Sequence, residues 1–206
     1  MLQERLIQIA IDKFGRLGFD GATTRDIARA SDTAMSSITY HFGGKEGLYL
    51  ACADHIAGQL RERYADATEL MQGAETLERG EAIERCLSII DIFTQTMLHP
   101  DSESWARFIV REQQAPTEAF ERLYRGVMEG LIEGYGRLLA RARPDLPERN
   151  VLALGMLIFG QTLVLRAARA TVCKALDASE LGEEEALLLR AQIRSNVLLI
   201  LNGGTQ

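Results

Sequence analysis

An all-α fold is what this chain of 206 residues predicts, and three observations carry the prediction. Ala, Leu, Arg and Glu abound while prolines number only four, so helix formers dominate and helix breakers are rare. Apolar residues recur at intervals of three and four, as at Leu6, Ala10, Phe14 and Leu17. No stretch sustains the alternation that a half-buried strand needs. The expected architecture is an N-terminal three-helix domain over residues 1–50 followed by a helical body over 51–206, about nine helices in all. An apolar content of 47% is ample for a buried core at this length.

The first helix carries the Leu6, Ala10, Phe14 and Leu17 stripe and is expected to stop at Gly18, with Phe19 to Ala22 as a link. Thr23 then caps a short helix with Asp26, three residues on, as its partner, and Ile27 with Ala28 gives that helix a small apolar face. Ser31, Asp32 and Thr33 supply turn chemistry. The next helix, from about Ala34 to His41, has one large apolar anchor, Ile38, while Met35, Ser36, Ser37 and Thr39 are slender enough to approach base edges. Two short helices about a tight turn, the second ending in Tyr40-His41-Phe42, form the layout of a helix-turn-helix that docks on DNA.

After Gly43-Gly44 a long helix is expected from Lys45 to about Met71, with Leu48, Cys52, Ile56 and Leu60 on one stripe. The Gly-Gly-Lys here is no phosphate loop, because it lacks the longer glycine spacing and follows a helix. Gln72 to Gly80 is polar, holds two glycines and marks a bend. Further helices are predicted at 81–98, 103–114, 117–142, 149–174 and 183–202, broken by His99-Pro100, Pro116, Pro144 to Pro147 and Asp177 to Gly182. Thr117 is placed to cap the third of these. Glu75, Glu78, Glu81 and Glu84 recur every third residue as a solvated acidic face.

Val151 to Leu165 is apolar almost all round, yet fifteen residues are short for a bilayer, so burial in protein is expected instead. Ala186 to Leu201 is a second such helix. Together they have more apolar faces than one small body covers, and homodimerisation would cover them, with Gly155 and Gly160 permitting close approach.

The run from Leu6 to Tyr49 resembles the N-terminal domain of the TetR family of bacterial transcriptional regulators. The likeness rests on the apolar first helix, on Gly18 leading into T-T-x-x-I-A at Thr23 to Ala28, on Tyr40-His41-Phe42, and on Lys45-Glu46-Gly47-Leu48. One departure stands out: Asp32, Thr33 and Ala34 occupy the place where the family has Gly, a small apolar residue and Ser or Thr, which leaves Asp32 or Thr33 to cap the recognition helix or that helix to start without a cap. The resemblance implies that Tyr40, His41 and Lys45 bind phosphates, with Thr24 and Arg25 as further contacts, while Met35, Ser36, Ser37 and Thr39 face bases. It also implies pairing through the last two long helices. Arg111 to Tyr124 and Gly160 to Arg169 resemble, more weakly, the C-terminal domain of the CecR-like branch of that family.

Net charge is −6, but residues 1–50 balance six Lys/Arg against six Asp/Glu, so the acidic excess lies entirely in the body. Long-range attraction to DNA is therefore weak and binding rests on local phosphate contacts and dimerisation. Cys52, Cys86 and Cys173 are odd in number and far apart, which argues against a disulfide framework or a zinc site and fits a reduced cytoplasmic setting. The N-terminal residues open an amphipathic helix in place of an export signal. No cofactor, metal or membrane partner is expected. An enzyme is not expected either, since no nucleophile, acid and base group is visible.

For an effector, Trp105, Phe108 and Glu112 share one helix face and Tyr124 lies on the next helix. Glu112 either meets a polar or cationic ligand in a largely apolar cavity or pairs with Arg111 or another arginine at the edge of the core. Gly126, Gly130 and Gly134 recur every fourth residue, for close helix packing or for ligand room. The expected protein is a homodimeric repressor of a palindromic double-stranded DNA operator, released by a small-molecule effector bound in the effector and dimerisation domain at 51–206. The competing reading is a DNA-binding regulator without such an effector, controlled by a protein partner.

Overall fold

The computed structural model describes residues 2–203, and among them every regular element is helical, with no strand. In chain order the α-helices are α1 (Leu2–Gly21), α2 (Thr24–Ala30), α3 (Met35–Phe42), α4 (Lys45–Arg63), α5 (Ala65–Leu70), α6 (Arg79–Leu98), α7 (Ser102–Gln114), α8 (Glu118–Leu123), α9 (Glu129–Ala142), α10 (Glu148–Ala167), α11 (Arg169–Ala175) and α12 (Glu183–Leu201). A π-helical turn, Tyr124–Met128, joins α8 to α9 in one continuous run. Counting that run once gives eleven helices among the described residues, slightly more than nine.

The additional helices come from two breaks that the apolar pattern does not mark. The long helix expected from Lys45 to Met71 ends at Arg63, and Tyr64 leaves helical geometry with φ −101° and ψ 16°. That turn buries the Tyr64 ring edge-on against Phe93, with centroids 4.8 Å apart. The helix expected over 149–174 breaks at Ala168, and the arginines on either side both reach the C-terminus of α6. Arg166 donates to the Met97 and His99 carbonyls at 3.0 and 2.6 Å, and Arg169 donates to Leu98 at 3.4 Å. Carbonyls at a helix end have no partner in the helix, so these guanidiniums complete it.

By internal packing the chain forms two compact units. The first comprises the chain up to Glu62 together with Glu103–Glu129, and the second Arg63–Ser102 together with the chain from Gly130 onward.

In the first unit α1, α2 and α3 pack around Leu6, Phe14, Ile27 and Ile38, all fully buried. Gly18 breaks α1 with φ 77°, after which one more turn runs to Gly21. Gly47 is needed for a different reason, since a Cβ there would lie 1.8 Å from the Phe42 carbonyl oxygen, so α4 can follow α3 this tightly only with glycine. The π turn exposes the Gly126 carbonyl, and Arg61 donates to it at 3.0 Å.

In the second unit α6 is central, packing against α5, α10 and α12. Arginines again close helix ends: Arg79 donates to the Ala142 and Leu201 carbonyls at 3.0 Å each, and Arg143 to Ile200 at 2.7 Å. Glu75, Glu81 and Glu84 are exposed and pair with Arg137, Arg85 and Arg194. Of the spaced glycines, Gly134 makes room for Met71, whose Sδ would lie 2.6 Å from a Cβ, while Gly126 in the first unit makes room for Ala57 at 2.8 Å. Gly130 faces open space. Close packing therefore explains two of the three. Gly155 serves its own chain, against Leu139 Cδ1 at 3.0 Å, whereas Gly160 meets nothing within 4 Å.

Within its own chain α10 buries one face only, in line with the expectation that one body would not cover this helix. The 20-residue helix is long and apolar enough by composition to cross a membrane, and just 22% of its most apolar window is buried. Leu152, Met156, Leu157, Leu163 and Val164 on α10, and Leu187, Leu188, Leu198 and Leu199 on α12, are exposed.

Candidate nucleic-acid interface

The short helix α2 starts where its cap dictates. Thr23 is extended, its Oγ1 accepts from the Asp26 N–H at 3.1 Å, and its hydroxyl donates to Asp26 Oδ2 at 2.7 Å. The reciprocal bond thus runs through the hydroxyl. Ser31 closes the helix, buried, with its hydroxyl on the Ile27 carbonyl at 2.8 Å. Asp32 takes the left-handed conformation, φ 49°, which turns the chain into α3. Arg5, from α1, donates to the Ser31 and Asp32 carbonyls and so fixes the turn from outside. That contact spans 26 residues and left no trace in the sequence pattern.

Neither candidate cap of α3 acts as one. Ala34 occupies the cap position without a side-chain bond, and Thr33 Oγ1 instead lies 3.1 Å from Ser37 Oγ. The helix is held by its anchor, Ile38, which is fully buried, and by Gly43, whose left-handed C-cap bonds back to the Thr39 carbonyl at 2.9 Å. Opposite Ile38, Met35, Ser36, Thr39 and Tyr40 are exposed, Tyr40 to 85%, and Ser37 is half-buried. The Tyr40 ring meets that of His41 edge-on, with centroids 4.9 Å apart. Arg25 is exposed and Thr24 half-buried at the start of α2.

His41 and Lys45 are both held by neighbours. Gln3 Nε2 lies within hydrogen-bond distance of His41 Nδ1, at 3.0 Å. Lys45 Nζ stands 4.6 Å over the Phe19 ring and donates to the Asp20 carbonyl at 3.4 Å.

Of the four effector candidates, Glu112 borders a groove and the other three are placed as follows. Phe108 is fully buried and Trp105 nearly so, and Tyr124 stacks on Phe120 with centroids 6.0 Å apart. Glu112, 2% exposed, accepts three hydrogen bonds: Oε1 from the Tyr49 hydroxyl at 2.5 Å, and Oε2 from the Thr117 N–H and Oγ1 at 3.1 and 2.9 Å. Its partners are therefore a tyrosine and a helix cap. Arg111 points elsewhere, donating to the Gly15 and Arg16 carbonyls at 2.7 Å each. Burial, and then the Glu112 carboxylate, hold the Tyr49 phenol well above its ordinary pKa. Glu112 borders a groove of about 450 Å³, shared with Phe19, Asp20, Glu46, Arg111 and Thr117. Cys52 and Cys86 are buried free thiols, and burial pushes the Cys86 pKa up to about 12, far from a reactive thiolate.

A helix-turn-helix with a slender polar face over a single buried anchor, flanked by a tyrosine, a histidine and a lysine, defines a DNA-binding regulator rather than an enzyme. Comparison with known proteins agrees. Residues 6–52 match the profile of bacterial regulatory proteins of the tetR family, and residues 82–204 match the C-terminal domain of the HTH-type transcriptional dual regulator CecR. CecR of Shigella flexneri is 30% identical over 99% of this chain and 93% of its own length. The regulatory protein RaaS of Mycobacterium tuberculosis is 30% identical over 68% of this chain and 63% of its own. In fold, AmtR of Mycobacterium smegmatis superposes with a TM-score of 0.65 at 18% identity, covering 100% of this chain and 88% of that one. FadR of Bacillus halodurans, titled a fatty acid degradation regulator, gives 0.64 at 16% identity, covering 98% and 99%. The chain belongs to the TetR family of transcriptional regulators and carries a CecR-type C-terminal domain.

Proposed function

We propose that this chain is a homodimeric, cytoplasmic repressor that reads a palindromic operator with residues 1–50 and is released by a small molecule acting on the body at 51–206. The observation that carries the DNA reading is the outward face of α3, where Met35, Ser36, Thr39 and Tyr40 stand exposed opposite the buried Ile38. Met35, Ser36, Ser37 and Thr39 meet base edges in the major groove, while Thr24, Arg25, Tyr40, His41 and Lys45 meet phosphates. The dimer reading is supported by the uncovered apolar face of α10 and α12, because two copies of one such face bury each other about a twofold axis. A twofold dimer carries two reading heads, which in turn asks for a palindrome.

The repressor role draws on relatives: AcnR of Corynebacterium glutamicum is named a repressor, although CecR is named a dual regulator. Release follows from a population shift, in which a ligand favours a dimer whose heads no longer match successive major grooves. Trp105, Phe108, Glu112 and Tyr124 remain the proposed effector contacts, and only Glu112 among them reaches the groove. That Glu112 already holds Tyr49 and Thr117 of its own chain favours a second reading, a regulator that takes no small molecule and answers to a protein partner. Selection of bound fragments from genomic DNA, followed by thermal-shift screening of small molecules, tests both halves. A chain that enriches no sequence is not an operator-reading repressor, and one that enriches a palindrome but answers to no ligand takes the second reading.

A further inference from the structure

The charge of Lys45 is reached from the α7–α8 corner through an unbroken line of side chains within the first unit. Glu112 stands in the last turn of α7 and accepts both donors of Thr117, the residue that caps α8. Its other oxygen takes the Tyr49 hydroxyl across 63 residues of chain. The Tyr49 ring is wedged among aromatic neighbours: edge-on to Phe14 with centroids 4.8 Å apart, edge-on to Phe19 at 5.1 Å, and tilted on Phe108 at 4.6 Å. Phe19, 37% exposed, packs its ring on Phe14 and Tyr49, and Lys45 Nζ rests on its face. Arg111 braces the same corner on α1 just before the Gly18 break that presents Phe19.

We infer that Glu112 and Tyr49 are positioning residues for DNA binding, acting through Phe19 to hold the Lys45 ammonium ready for the duplex backbone. The inference rests on the reading of Lys45 as a phosphate contact. A lysine free in solvent surrenders its rotamer freedom on meeting a phosphate, whereas one already held over Phe19 surrenders little. Removing the Tyr49 hydroxyl leaves the ring and its burial but unties it from the corner, so Phe19 is held less firmly and Lys45 keeps the long bond to the Asp20 carbonyl as its other anchor. Affinity then falls for every duplex alike, since a phosphate contact carries no sequence information.

The experiment is a double-mutant cycle on the full chain, using as probe the duplex most enriched by the wild type from a random pool. Tyr49→Phe is expected to weaken binding roughly two- to tenfold, and to have no further effect in a Lys45→Ala background. Glu112→Ala is expected to do the same. Should it unfold the chain, Tyr49→Phe carries the cycle alone. A second readout needs no DNA: the Lys45 methylene protons, shifted upfield by the Phe19 ring, should move towards their free-chain position in Tyr49→Phe. An equal loss in both backgrounds, or an unmoved Lys45 signal, overturns the relay while leaving Lys45 on the phosphate list. A Lys45→Ala chain with the wild-type salt slope removes Lys45 from that list and the relay with it, yet sequence-specific binding by the wild type still upholds the helix-turn-helix reading.

Discussion

The outward face of α3 and the outward face of α10 with α12 are both bare in a single chain, but their side chains differ in kind. Over α3 lie a methionine, serines, a threonine and a tyrosine, with Tyr40 85% exposed. Over α10 and α12 lie leucines, a valine and a methionine, with Leu157 at 73% and Leu199 at 67%. Exposure alone does not say what covers a surface; composition does. Slender polar groups on a helix anchored by one buried isoleucine suit the hydrogen-bonding edges of base pairs, which are wet before and after binding. A bare apolar face leaves water by meeting another apolar surface, which on the dimer reading is a second copy.

The largest effect expected from this contrast is on assembly. Leu157→Glu or Leu199→Glu places a carboxylate where the dimer reading requires a dry interface, at a cost of several kcal/mol to association. Both positions are exposed in one chain, so the monomer should stay folded. Light scattering at micromolar concentration should give a dimer for the wild type and a monomer for the variants, and a well-folded wild-type monomer would sink the assignment. Ile158, one residue along α10, is fully buried in its own chain and would test folding instead.

The recognition face should respond differently. Thr39→Ala is expected to change which base is preferred at one position of each half-site, by about 1–3 kcal/mol of discrimination, while Lys45→Ala weakens all duplexes and lowers the salt slope by about 1 for each head bound. Enrichment sequencing of the two variants separates these outcomes. A Thr39→Ala chain that binds every duplex uniformly more weakly would move Thr39 to the backbone.

A smaller effect concerns α3 itself. Ala34 sits at the cap in extended geometry, φ −74° and ψ 144°, with no side-chain bond. Ala34→Ser supplies an oxygen for the orphan N–H groups of the first turn and should raise stability by about 1 kcal/mol, a gain of roughly 2–4 °C in Tm for a chain of this size. A thermal melt decides it. Unchanged Tm would mean that α3 already satisfies its first turn by other means.

What the sequence could show about these surfaces was local. The Thr23 cap, the Gly18 break, the Thr117 cap and the lone Ile38 anchor all depend on neighbours within a few residues, and each stands where the spacing placed it. The cap of α3 was not legible, because Asp32 spends its special conformation on turning the chain and Thr33 reaches Ser37. Contacts across long stretches were invisible too: Gln3 with His41, Arg5 with the Ser31 carbonyl, and Tyr49 with Glu112. The sequence paired Glu112 with a ligand or an arginine because charge is what a linear pattern displays; a phenol and a helix cap satisfy the same carboxylate and carry no charge to notice.

The smallest effect tests whether the two faces depend on separate supports. Asp91 on α6 grips Arg190 on α12 by two bonds of 2.8 and 2.7 Å, and that hydrogen bonding holds the Asp91 carboxyl below its ordinary pKa. A carboxyl whose folded pKa lies below its unfolded one contributes stability above the unfolded value, near 3.9, and loses it as pH falls through the folded value. The pair is about one-third exposed, so its contribution is modest and screened by salt. Urea unfolding of wild type and Asp91→Asn should therefore differ by a constant amount at neutral pH and converge as the medium is acidified below about pH 4. Because Asp91 and Arg190 lie in the second unit, Asp91→Asn should weaken dimerisation slightly and leave the base preference of α3 unchanged. An altered base preference in that variant would show that the recognition face and the α12 face share a support, and the contrast drawn between them would have to be given up.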